Sequence, residues 1–284
     1  YLGDYYSSEA ISDTAYWNYF KAQNIYSQIN DDLNLAKTLI SKATLQFNEG
    51  NFFESEIAVF KALEILNQEN NVNDKLYDCY NLLGILYNEK EEFDKALEYQ
   101  GKALKTLNDK SILIDLQLKA TSLNNIGYIY INKNDYKKAI FYFEKGLNEK
   151  NLFKEKTYLY AMLLDNLGYA KFKSGKMEEL PDIFFRSLKI RDSLGLKTAT
   201  ITNKIRLSEY YAFKKDTLKA MQYAKQALLV SRSSEKINNT LGALKQIAVV
   251  DPKKASIYSK EYIRLNDKML KAERNMGEKF SRIE

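Results

Sequence analysis

The sequence predicts an all-α fold built from antiparallel helix pairs in tandem, and three observations carry that expectation. Only 2 prolines and 11 glycines are spread over 284 residues, too few for the many tight turns of a sandwich or barrel. Hydrophobic residues make up 45% and charged residues 28%, a balance that can bury a core. Most telling is a pattern that recurs about every 41 residues, anchored on Gly84, Gly127 and Gly168 with offsets of 43 and 41.

Leu83, Ile126 and Leu167 precede the three glycines, and Tyr87 and Tyr130 follow the first two by three residues, with Lys171 in that column of the third copy. Twelve residues past each glycine stand Ala96, Ala139 and Leu180, and nineteen past stand Ala103, Gly146 and Ser187. Columns of small residues at these offsets fit two helices that cross so closely that only Gly, Ala or Ser has room.

In chain order, residues 13–29 read as a lone second helix, with Ala15, Tyr19 and Ala22 in the expected columns. Ala43, Ser55 and Ala62 carry the register upstream, and Ser208, Ala220 and Ala227 carry it downstream. Polar turns divide the helices of a pair at Glu49-Gly50-Asn51, Asn134-Asp135, Ser174-Gly175-Lys176 and Lys215-Asp216. Linkers between copies fall at Asn67 to Asp74, Asn108 to Ser111, Asn148 to Asn151, Ser193 to Gly195 and Ser231 to Glu235. In the last copy Asp251-Pro252 is expected to start the second helix directly. The organisation predicted is an array of about six helix pairs over residues 1–262, with atypical ends, followed over 263–284 by the start of a C-terminal signalling or coiled-coil helix.

The segments NLLGILY with FDKALEYQGKAL, and NNIGYIY with YKKAIFYFEKGL, resemble the tetratricopeptide repeat. The resemblance covers roughly residues 15–262 and implies a right-handed superhelix; because the copies run 40 to 43 residues, the helices are longer than in the usual repeat. It also implies that the first helix of each pair lines a groove. Positions three before, two before and one after the glycine then face it: Asn81, Leu82 and Ile85; Asn124, Asn125 and Tyr128; Asp165, Asn166 and Tyr169; Ile205, Arg206 and Glu209. The partner-binding candidates are Asn81, Asn124, Asn125, Tyr128, Asp165, Asn166, Tyr169 and Glu209. An amide both donates and accepts, so a ladder of Asn can hold an extended peptide backbone. The same amides can instead join neighbouring helices, and the sequence leaves both duties open.

Composition removes most chemistry. With no His and one Cys, there is no imidazole base, no Ser-His or Cys-His pair and no His-based zinc site. Cys79 lies in an apolar-periodic stretch and reads as a small buried hydrophobe. No phosphate loop or metal spacing is found, so no catalytic residue, cofactor or metal is expected. The net charge of +6 comes from basic residues interleaved with acidic ones, a solvated surface rather than a nucleic-acid stripe. Apolar runs are far shorter than the ~18 residues of a membrane span, and YLGDYY lacks the features of a secretion signal.

The C-terminal segment differs in kind. Tyr262, Leu265, Met269, Ala272, Met276, Phe280 and Ile283 follow one another in steps of 3, 4, 3, 4, 4 and 3, a seam suited to a second helix. Leu265, Met269, Ala272, Met276 and Ile283 are the candidates for a homodimer contact; an amphipathic helix folded back on the array is the other reading. The closing stretch VDPKKASIYSKEYIRLNDKMLKAERNMGEKFSRIE resembles the end of the sensory region in bacterial tetratricopeptide-repeat sensor histidine kinases, whose relatives carry a helix-turn-helix output. That resemblance implies a non-catalytic, periplasmic or extracytoplasmic sensory domain that binds a peptide or protein, with membrane attachment through a segment after residue 284. A free-standing cytosolic scaffold or adaptor for peptide segments is the alternative.

Overall fold

The computed structural model describes residues 2–107, 116–234 and 237–283. Among them there are fifteen α-helices, one short 3-10 turn and no strand. The helices sort into two compact units, Tyr1–Lys133 with Lys271–Glu284, and Asn134–Leu270. The linker expected at Asn108 to Ser111 and the end of the one at Glu235 lie outside the described residues.

The first unit contains α1 (Leu2–Ser8), α2 (Ser12–Gln28), α3 (Asp32–Asn48), α4 (Phe52–Leu66), α5 (Asn73–Glu89), α6 (Phe93–Thr106) and α7 (Leu116–Asn132), each packed on the next. The second contains α8 (Tyr136–Leu147), α9 (Leu152–Glu155), α10 (Thr157–Lys173), α11 (Asp182–Ser193), α12 (Thr200–Phe213), α13 (Thr217–Arg232) and α14 (Ile237–Val250). A last helix, α15 (Ala255–Ile283), is continuous through the boundary expected at residue 262.

Short-range chemistry sets six of the turns between successive helices. Asn30, Gly50, Glu91, Asn134, Gly175 and Lys215 all have φ between 54° and 80°, the left-handed residue that ends a helix. One residue later, the side chains of Asp31, Asn51, Asp135 and Asp216 accept a hydrogen bond from the N–H three residues on, capping the next helix. The sequence marks those at Gly50, Asn134, Gly175 and Lys215, but not those at Asn30 and Glu91.

The small-residue columns are helix crossings, and their serines are satisfied across them. Ser55 Oγ donates to the Ala43 carbonyl at 2.8 Å, Ser208 Oγ to Ala220 at 2.8 Å and Ser187 Oγ to Ala161 at 2.7 Å. A hydroxyl buried in an interior must find such a partner. At Gly168 an added Cβ would lie 2.9 Å from both the Ile183 and Phe184 side chains, whereas at Gly101, outside the columns, it would meet nothing within 4 Å.

Three expectations are corrected here. The helix expected over 13–29 is not alone: α1 precedes it and packs on it, because Gly3 lets the α1 backbone approach Tyr19, where a Cβ would stand 2.5 Å from Cε1. Tyr87 is buried, but Tyr130 in the same column is only half-buried. The second helix of the last copy begins at Ala255 rather than at Asp251-Pro252. Within the second unit, Tyr258, Tyr262 and Leu265 of α15 pack against Ala243, Leu244 and Ile247 of α14 and against α13. Within the first unit, Met276, Phe280 and Ile283 pack with Ala15, Tyr16, Tyr19 and Leu45. Phe280 is 1% exposed and its ring stacks on Tyr16 with centroids 4.0 Å apart. Met269 is half-buried and Ala272 exposed.

Candidate functional site

In the first unit the first helices α3, α5 and α7 are neighbours. A cavity of about 580 Å³ is lined by α1, α2, α3 and α5, with Asp4, Tyr19, Ser41, Asp78, Asn81 and Ile85 on its wall. Asn81 is the hub of its amides: its Oδ1 accepts from Asn125 Nδ2 at 3.0 Å and from Gln100 Nε2 at 3.2 Å. Asn124 Nδ2 reaches Asn125 Oδ1 at 3.4 Å, and two helical turns on, Asn132 Nδ2 donates to Asn88 Oδ1 at 3.0 Å. The ladder therefore joins α5 to α7, while Asn81 also faces the cavity. Asn124 is buried, Asn125 half-buried and Tyr128 41% exposed.

Asp78, which sequence reading passed over, stands one turn before Asn81 on the same face. Its carboxyl is open to solvent yet surrounded by enough protein that loss of hydration pushes it up to about 6, against the pull of Lys75 and with a contribution from Asp74. Its spacing of three from Asn81 is the signal that could have found it.

In the second unit α10, α12 and α14 are the neighbouring first helices. Asp165 and Asn166, expected to face a groove, are instead 1% and 8% exposed. The Asp165 carboxylate accepts from Arg206 Nη1 at 2.5 Å, Asn203 Nδ2 at 2.6 Å and Arg191 Nη1 at 3.3 Å. Arg206 Nη2 also donates to Asn166 Oδ1 at 3.0 Å, and its guanidinium carbon lies 4.6 Å from the centre of the Tyr169 ring. A carboxylate facing two guanidinium groups is stable out of water only when its remaining lone pairs are filled, which explains why this cluster turns inward. Burial holds Arg191 below its usual range, opposed by Asp165. Burial also raises Glu209, opposed by Arg206 and Lys173. Of the candidates here, Tyr169 and Glu209 are half-buried and remain reachable. Arg191 sits on α11, 26 residues from its partner Asp165, and no periodicity in the sequence marks that pairing.

These faces offer amides, one rigid ring and mixed charges, which suit recognition of a peptide backbone. Cys79 is 0% exposed, and burial pushes its thiol up to about 12, which leaves it inert. No helix among the described residues is long and apolar enough to cross a membrane.

The tetratricopeptide repeat family matches residues 78–108 and 120–151, so the chain carries these repeats. It is 27% identical over 209 residues to the anaphase-promoting complex subunit CDC16 of Saccharomyces cerevisiae, a match over 72% of this chain that spans only 22% of that protein. In fold it is similar to apo RapI, with a TM-score of 0.77, 19% identity and 96% of each chain covered. It is also similar to the Rap conjugation gene regulator of plasmid pLS20 in complex with the Phr* peptide, with a TM-score of 0.69, 18% identity, and 99% of this chain and 73% of that one covered. The fold is thus an all-helical, tetratricopeptide-like repeat scaffold.

Proposed function

We propose that this chain is the non-catalytic sensory part of a signalling protein, which binds an extended peptide or a partner's loop on its first-helix faces and reports occupancy through α15. The observation that carries this reading is the cavity beside Asn81, where amide, hydroxyl and apolar groups converge on one wall. The fold shared with a regulator whose structure holds the Phr* peptide supports the peptide as ligand class. The resemblance of the closing stretch to sensor histidine kinases supports a two-component output and an extracytoplasmic position on a membrane-anchored protein. A free-standing scaffold or adaptor for peptide segments is the second reading, and the packing of Phe280 on Tyr16 favours it, since those last turns are occupied within their own chain.

The test is calorimetric. Peptides selected on the intact chain from a random library are titrated into the parent and into Asn81→Ala, with circular dichroism to verify the fold. A loss of about 1 to 3 kcal/mol in binding, the cost of an unmade hydrogen bond to a desolvated amide, at unchanged helicity supports the reading. Unchanged affinity together with early melting assigns the amides to helix stacking alone.

A further inference from the structure

A second cavity adjoins the one beside Asn81 and shares Asp4, Tyr19 and Ser41 with it. It has about 740 Å³ and is lined by α1, α2 and α3, within the size range of small-molecule sites. Its wall is apolar and aromatic, from Leu2, Trp17, Tyr19, Ala22, Ile25 and Tyr26. Trp17 and Ile25 are 45% and 55% exposed. Gly3 and Tyr19 close one end through the tight approach already described.

Asn18, Asn34, Thr38 and Ser41 add neutral polar groups to this wall, and its cations are Lys21 and Lys37. Lys21 Nζ stands 3.4 Å from the centre of the Trp17 ring, and Lys37 Nζ is 3.4 Å from Asn34 Oδ1; neither makes a salt bridge among the described residues. The one carboxylate on the wall, Asp4, accepts from the Tyr19 hydroxyl at 2.9 Å, and burial raises that phenol so that it stays protonated as a donor. An apolar trough with two lysines at its rim is complementary to an apolar body that ends in an anion.

We propose that this cavity is a binding site for a small monocarboxylate with an extended aliphatic or aromatic body, its apolar part against Trp17, Ile25 and Tyr26 and its carboxylate between Lys21 and Lys37. The site shares Asp4, Tyr19 and Ser41 with the cavity beside Asn81, but its ligand is a small molecule and the proposal does not depend on the peptide reading.

Trp17 is the only tryptophan of the chain, so its emission reports the cavity directly. The whole chain is titrated with decanoate, octanoate, 1-decanol and decylammonium, by Trp17 fluorescence and by calorimetry. Decanoate is expected to bind saturably at one site and to change the Trp17 emission. Each methylene removed should weaken binding about fourfold, and added salt should weaken the carboxylate but not the alcohol. Ala22→Phe, which fills the cavity, should abolish binding in a chain that circular dichroism shows to be folded. Lys21→Glu with Lys37→Glu should reverse the preference toward decylammonium and serves as the second variant should Ala22→Phe not fold. Equal affinity for decanoate and decylammonium in the parent, binding retained in a folded Ala22→Phe, or no saturable decanoate binding overturns the proposal.

Discussion

Gly168 and Gly101 are both helical glycines, yet their surroundings oppose each other. A side chain at Gly168 runs into Ile183 and Phe184 at 2.9 Å, so Gly168→Leu should destabilise by about 1 to 3 kcal/mol or more through overpacking. Gly101 opens onto free space inside α6, so Gly101→Ala should stabilise by about 0.5 to 1 kcal/mol by removing the entropic cost of glycine in a helix. Urea melts of the two variants check both signs; equal midpoints contradict the repeat register. Asp78 sets a pH dependence at the same scale. Its folded carboxyl titrates at about 6, above its unfolded value, so the folded state binds the extra proton and its stability falls as pH rises from about 4 to 6. Exposure to solvent keeps the effect small. Asp78→Asn should therefore melt higher than the parent at pH 7 and at the same temperature below about pH 4.

At the scale of the element, α15 is where periodicity and packing part. Its seam of Leu265, Met269, Met276 and Ile283 has the spacing of a helix that pairs with a copy of itself, but a seam does not name its partner. In the structure Met276, Phe280 and Ile283 lie against α2 and α3, and Lys279 Nζ reaches Asp13 Oδ2 at 3.4 Å. Removing a fully buried ring costs about 3 kcal/mol, so Phe280→Ala should lower the melting temperature and speed hydrogen exchange in α2. Sedimentation of that variant should match the parent. For pairing through a second copy to be correct, Met276→Lys must instead abolish an association seen by ultracentrifugation and leave the melt unchanged.

At the scale of the molecule, the proposed extracytoplasmic position has a direct check. Cys79 is wholly buried with its thiol pushed up to about 12, so it is silent toward maleimides. Gly101 is open, and Gly101→Cys supplies a single reactive thiol. In intact cells making the full-length protein, a membrane-impermeant maleimide should label this variant. Labelling only after lysis removes the extracytoplasmic position and leaves the peptide-binding scaffold.

The sequence by itself determined the all-α class, the repeat register, the turns at Gly50, Asn134, Gly175 and Lys215 and most of the close crossings, because each rests on short-range rules. A left-handed residue followed by an Asp or Asn cap ends one helix and starts the next, as at Asn134-Asp135, and small residues at fixed offsets mark where two backbones touch. It also placed Asn81 and Asn125 on one face, where their side chains meet at 3.0 Å. Only the tertiary structure decided that Asp165 and Asn166 turn inward, since this depends on Arg191 and Arg206 arriving from other helices to neutralise and saturate the carboxylate. Tertiary packing also decided that α1 stands beside α2 and that Phe280 stacks on Tyr16. Periodicity says which side of a helix is buried, but what buries it is a contact between residues far apart in the chain, and no local spacing encodes that choice.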